Sequence, residues 1–134
     1  MGGAPRLKLL LDTHIWLWFR TDTPRLTRAV SRALGNQENE LWLSPISTWE
    51  VLMLNSKGRI KLSGDAGVWI QRAIEGINEA VLTHEIVSVA GNLLVQRDPS
   101  DCMIAATAIV NDMTLLTADD KLLQLPGLKT LANR

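Results

Sequence analysis

The stretch Leu7-Lys8-Leu9-Leu10-Leu11-Asp12 decides the fold class. A short apolar run of this kind is the signature of a strand buried on both faces, and such strands belong to parallel sheets. Working outward, Leu41 to Leu43, Val81-Leu82, Thr114 to Thr117 and Leu128 to Leu131 are further strand candidates. Helical segments fall between them. Thr13 to Phe19 makes a helical turn, and Pro24 and Thr27 open a helix that runs to Leu34 and stops at Gly35. Ser47 starts a helix ending near Gly58, and another runs from Asp65 to Glu75. Thr83 caps a helix to about Leu94. After the break at Asp98-Pro99-Ser100, Ile104, Ala105, Ala108 and Ile109 recur at helical spacing between Asp101 and Asn111. Strands alternating with helices imply right-handed crossovers, hence a three-layer α/β/α sandwich around a central parallel sheet. In such folds ligands bind beyond the carboxyl ends of the strands.

The chain of 134 residues suits one domain, 1–134, and its 46% hydrophobic and 21% charged residues are ordinary for a soluble globular protein. No apolar run approaches a membrane span, and Met1 to Arg6 does not open a secretory signal. The expectation is a cytoplasmic protein with no membrane contact. A single cysteine, Cys102, excludes an internal disulfide, and one cysteine with two histidines leaves little for a zinc site. Fourteen basic residues balance fourteen acidic ones. A protein that holds nucleic acid by bulk charge is normally basic, so any such role here relies on a local patch or is carried partly by a second subunit.

Four acids stand where the topology would gather them. Asp12 directly follows the first strand, and Asp119 lies two residues after the strand ending at Thr117. Glu50 is expected in the first turn of the helix after the second strand, and Asp101 at the start of the alanine-rich helix. Carboxylates packed together raise one another's pKa unless a positive charge neutralises them. All-oxygen ligands suit Mg²⁺ or Mn²⁺. Such ions lower the pKa of water and stabilise the attacking and leaving oxygens of phosphodiester cleavage. Helix capping competes with this reading at every position, because negative charge is favoured at helix N-termini. Ser47-Thr48-Trp49-Glu50 in particular has the form of a capping box. Capping, however, is served equally by Ser, Thr or Asn, and all four positions are acidic.

The same residues carry a resemblance. Leu10-Leu11-Asp12-Thr13-His14-Ile15-Trp16-Leu17-Trp18 looks like the opening of PIN-domain proteins, especially the VapC-type toxins of bacterial toxin–antitoxin pairs. Ser44-Pro45-Ile46-Ser47-Thr48-Trp49-Glu50-Val51 resembles that family's second acidic motif. Arg97-Asp98-Pro99-Ser100-Asp101 with Ile104 to Ala108 is similar to the third, and Leu115-Leu116-Thr117-Ala118-Asp119 to the fourth. The resemblance implies a parallel-sheet sandwich and a Mg²⁺- or Mn²⁺-dependent ribonuclease acting on RNA, with transfer or ribosomal RNA as typical substrates. It implies a homodimer and a cognate antitoxin as partners. It places the catalytic and metal-binding acids at Asp12, Glu50, Asp101 and Asp119, with Thr117, Asp98 and Asp120 as secondary groups. Two positions depart from the family pattern, Gln96 and Cys102, where relatives often carry His and Arg.

Other residues offer two readings each. Arg25, Arg28 and Arg32, at i, i+3 and i+7, share one helix face and form either an RNA-binding strip or a solvated surface. Lys57, Arg59 and Lys61 pose the same choice. His14 either contacts a phosphate or starts a helix. Trp16 and Trp18 cannot both face one core, which leaves one for a partner, whereas Trp49 and Trp69 are expected in the core or a subunit interface. Met53 and Leu54 are expected in the core, with an antitoxin groove as the other reading. Cys102 is read as a packing residue, although a helix start lowers thiol pKa. A receiver domain needs an acidic pair after the first strand, and a phosphatase of the Asp-x-Asp kind needs an acid where His14 stands. The remaining alternatives are a catalytically silent PIN-like binding module and a structural protein whose acids are all caps.

Overall fold

The computed structural model describes residues 6–21, 24–94 and 97–134, so Gln96 lies outside the described residues. Its five strands are β1 (Lys8–Leu11), β2 (Glu40–Leu43), β3 (Asn78–Glu79), β4 (Thr114–Thr117) and β5 (Thr130–Ala132). All pair in parallel, in the order β3-β2-β1-β4-β5. The helices are α1 (Thr13–Arg20), α2 (Arg28–Gly35), α3 (Pro45–Ser56), α4 (Ala66–Ala73), α5 (His84–Gly91), α6 (Pro99–Asn111) and α7 (Asp120–Leu123).

The period-2 geometry of β1 divides the core. Leu9 and Leu11 join α1, α2 and α4 through Ile15, Trp16, Val30, Leu34 and Ala73. Leu10 faces the opposite side, against Ile104, Ala105 and Ala108 of α6 and Leu122 of α7. The neighbouring strand repeats the alternation, Leu116 facing the first cluster and Leu115 the second. Alanines on α6 let that helix approach the sheet closely, while α5 packs on its outer side through Ile86 and Ala90. The expected α/β/α sandwich is therefore observed. The chain runs β1, β2, β3 to one edge and returns to β4 on the other side of β1. That reversal makes the carboxyl ends of β1 and β4 the topological switch point.

Three local expectations change. The third strand is not Val81-Leu82 but Asn78–Glu79, which pairs with Trp42 and Leu43. An edge strand is defined by its hydrogen bonds, and the apolar pair that follows remains exposed, at 60% for Val81 and 36% for Leu82. Second, α3 begins at Pro45, not Ser47. The Ser44 hydroxyl accepts from the Ile46 amide at 3.1 Å, and Pro45 takes the first helical position, where its missing N–H costs nothing. The helix stops as expected, with Gly58 at φ 71° just past its end. Third, Asp98-Pro99 starts α6 in the same way, the Asp98 carboxylate accepting from the Ser100 amide at 2.8 Å. Both changes move acids deeper into their helices.

Candidate functional site

Asp12 leaves β1 still tied to β4, its amide donating to the Leu116 carbonyl at 3.0 Å. Its buried carboxylate is held from two sides. Oδ1 accepts from the Thr13 amide at 2.9 Å, and Oδ2 accepts from the Thr117 hydroxyl at 2.6 Å. Thr117 in turn accepts the Asp119 amide at 3.0 Å, so one fully buried hydroxyl at the end of β4 positions two acids. Asp119 also caps α7, accepting from the Lys121 amide at 2.8 Å.

Glu50 arrives from α3. It lies in the second turn rather than the first, so the expected capping box does not form. Its Oε1 instead lies 2.5 Å from the Thr13 hydroxyl, which is also 2.9 Å from Ser47 Oγ. Thr13 has one proton to give, so it donates to the carboxylate and accepts from Ser47. Asp101, in the first turn of α6, is half-buried and caps nothing.

These acids line one open cleft of about 530 Å³, together with Asp98, Thr13, His14, Trp18 and Arg25. Burial pushes the Asp12 and Glu50 carboxyls up, against the opposing pull of their threonine hydrogen bonds. Asp101 is pushed up to about 7, first by burial and then by the like charges of Asp12, Asp119, Asp98 and Glu50. Among the described residues, every contribution to the Asp101 shift raises it.

Among the described residues no three acidic, histidine or cysteine side chains stand at the close mutual spacing of a finished metal-ligand set. The charges of Asp12, Asp119, Asp98 and Glu50 nevertheless all reach Asp101, so the acids share one field. Each carboxylate except that of Asp101 is drawn to its own donor, which spreads the group. An all-carboxylate set of this looseness fits a hard divalent cation that keeps part of its water shell, as Mg²⁺ does.

The secondary residues divide. Asp98 lines the cleft and the buried Thr117 bonds to Asp12 and Asp119, but Asp120 is exposed and paired with Arg134. The arginine strip also divides. Arg25 precedes Thr27, the N-cap of α2, so it is not on the helix; it lies in the cleft wall, with its guanidinium 5.6 Å from the Trp18 ring centre. Arg28 and Arg32 are exposed on α2, away from the cleft. A smaller neighbouring cavity of about 160 Å³ brings Arg97 and Lys121 beside Asp98, Asp101 and Asp119. Arg97 stands in the sequence only as the start of the third motif and Lys121 carries no signal, and nothing there links 97 to 121.

Trp16 is the core tryptophan, its indole N–H donating to the Ala73 carbonyl at 2.8 Å, and Trp69 packs edge-on against it. Trp49 departs from the core expectation and is 56% exposed. It lines an apolar groove of about 340 Å³ with Leu52, Ile70 and Ile74. Met53 and Leu54 are half-buried and lie outside that groove. Cys102 is fully buried and burial pushes its thiol up, which leaves packing as its role. Among the described residues no helix is long and apolar enough to cross a membrane.

Comparison with known proteins agrees with this geometry. Ribonuclease VapC22 of Mycobacterium tuberculosis is 32% identical over 116 residues, 85% of this chain and 88% of that protein. Two solved structures share the fold. VapBC2 from Rickettsia felis, bound to a DNA fragment from its promoter, matches with a TM-score of 0.74 at 19% identity, over 94% of this chain and 98% of that one. A toxin–antitoxin complex from Klebsiella pneumoniae matches with a TM-score of 0.67 at 19% identity, over 94% and 98%. The sequence profile of the PIN domain matches residues 9–128, and the chain belongs to the PIN-domain family.

Proposed function

We propose that the protein is a metal-dependent endoribonuclease, the toxin of a toxin–antitoxin pair, acting as one PIN-like unit over residues 1–134. One observation carries this reading: Asp12, Glu50, Asp101 and Asp119 come from separate parts of the chain to one cleft, where burial and then their like charges push Asp101 up to about 7. Capping accounts for Asp12 and Asp119 but for neither Glu50 nor Asp101. The likeness to Ribonuclease VapC22 supports RNA as the substrate.

The four acids would hold one or two Mg²⁺ or Mn²⁺ ions, with Asp98 adding negative charge at the rim. When bound, a divalent cation supplies positive charge against the scissile phosphate and makes water a better nucleophile. Thr117 fixes the Asp12 carboxylate and the Asp119 backbone, and Thr13 fixes Glu50. Both therefore orient acids without touching the substrate. Arg25, in the cleft wall, receives the RNA backbone. Water attacks phosphorus in line and the 3′ oxygen leaves, giving a 5′-phosphate and a 3′-hydroxyl. Transfer or ribosomal RNA is the substrate class. A cognate antitoxin and a second copy of the chain are the protein partners, and the exposed apolar side chains of α3 and α4 offer surface for such contacts.

The test is incubation of total RNA with purified, antitoxin-free protein under Mg²⁺, Mn²⁺ or EDTA, beside an Asp12→Asn variant. Discrete fragments that need metal and disappear in the variant are expected. Intact RNA under every metal would leave a silent binding module.

A further inference from the structure

The wall of the acidic cleft carries a feature that phosphate chemistry does not use. His14 and Trp18, one helical turn apart on α1, meet with ring centres 5.8 Å apart and planes tilted by 50°. Arg25 approaches the same indole, its guanidinium carbon 5.6 Å from the ring centre. All three line the cleft with Asp12 and Glu50. Their placement follows from the helix. Trp16 is drawn fully into the core, and an i, i+2 separation turns Trp18 away from it toward the cleft. Trp18 is thus half-buried, with part of its ring packed on the core cluster.

A half-buried indole at the cleft wall, beside a cation and an imidazole, is suited to a flat, π-rich ligand. Every nucleobase presents such a face, and unpaired RNA bases are commonly stacked on aromatic side chains and arginine planes. We infer that Trp18, flanked by His14 and Arg25, stacks a base of single-stranded RNA next to the scissile phosphate and so positions the strand over the acids. This inference rests on the ribonuclease reading and adds the residue that holds the base. The protein carries no net charge, so contact with a base face also supplies affinity that bulk electrostatics cannot.

The experiment measures binding of a fluorescein-labelled single-stranded RNA by anisotropy in Ca²⁺ buffer, with gels showing that the RNA stays intact. A set of otherwise identical RNAs carries one abasic nucleotide, moved along the strand. In the wild type one abasic position is expected to weaken binding by about 5- to 150-fold, which is stacking of about 1–3 kcal/mol converted at 1.4 kcal/mol per tenfold. Trp18→Ala is expected to weaken binding of the intact RNA to the same degree and to abolish the penalty at that position alone. Trp18→Phe is expected to restore most of both, and Mn²⁺ affinity is expected to stay unchanged in all three proteins. The position-specific loss separates stacking from a general packing defect, which would leave the abasic penalty in place. An abasic penalty that survives Trp18→Ala overturns the inference while leaving the nuclease reading intact. Failure of the wild type to bind any RNA overturns both.

Discussion

Replacing Asp101 with Asn should stabilise the protein in EDTA at pH 8. The Asp101 carboxyl rises from 3.8 to about 7 on folding, through burial and then the like charges of Asp12, Asp119, Asp98 and Glu50. A group whose folded pKa is raised binds its proton more tightly in the folded state. Its favourable contribution is complete below the unfolded pKa and disappears as pH rises through the folded one. Between pH 4 and 7 the carboxyl therefore costs the fold stability, and above pH 7 the full cost is felt. At about 1.4 kcal/mol for each tenfold change in proton affinity, the ceiling is about 4 kcal/mol. Asp101 is only half-buried, and solvent screening reduces this to about 1–2 kcal/mol. For a chain of this size that amounts to a rise in Tm of roughly 3–8 °C. Thermal melts of wild type and Asp101→Asn in EDTA at pH 5 and pH 8 read the effect, which should be large at pH 8 and small at pH 5. Adding Mn²⁺ at pH 8 reverses the order, because the wild type gains about 2.7 kcal/mol at a hundredfold excess over Kd and the variant gains less. A variant less stable than the wild type in EDTA at pH 8 would refute the electrostatic account of the cleft.

Thr117→Val removes the donor to Asp12 and the acceptor for the Asp119 amide. A loss of about 1–3 kcal/mol in urea unfolding is expected, with Mn²⁺ affinity by calorimetry down roughly 10- to 100-fold; Thr117→Ser should recover most of both. Ser44→Ala should cost about 1 kcal/mol in the same unfolding assay, because Ser44 and not Ser47 caps α3. Arg25→Gln should weaken RNA binding and lower the slope of log affinity against log salt by about 1. Arg28→Gln and Arg32→Gln, which lie away from the cleft, should change neither.

The sheet and its two acidic strand ends were legible because β1 and β4 bury leucines on both faces, with Asp12 directly after β1 and Asp119 two residues after β4. A residue at the end of a central parallel strand has only one place to go. Glu50 and Asp101 were legible as members of the cluster but not at their helical positions. Ser44-Pro45 and Asp98-Pro99 are N-cap and first-position proline pairs, and reading past them made Glu50 seem a capping residue and Asp101 a helix start. β3 could not be found from apolar pattern, because Asn78 and Glu79 are polar and form a strand only by pairing with β2. Arg25 fitted a helical strip on spacing alone, whereas the helix begins beyond it at Arg28. The approach of Arg97 and Lys121 to one another beside the acids depends on packing between elements distant in sequence. No local pattern carries such information.

Glu50 offers the sharpest test of the whole account, because it lies in mid-helix and caps nothing. The measurement is the rate of RNA cleavage against Mn²⁺ concentration for wild type and Glu50→Gln. The substitution keeps the shape of the side chain and an oxygen for the Thr13 hydroxyl, but removes the charge. A fall in rate on the order of 100-fold or more, with a higher Mn²⁺ requirement, is the predicted result. An unchanged rate and an unchanged Mn²⁺ dependence would contradict the claim that these acids form one cation-dependent catalytic centre.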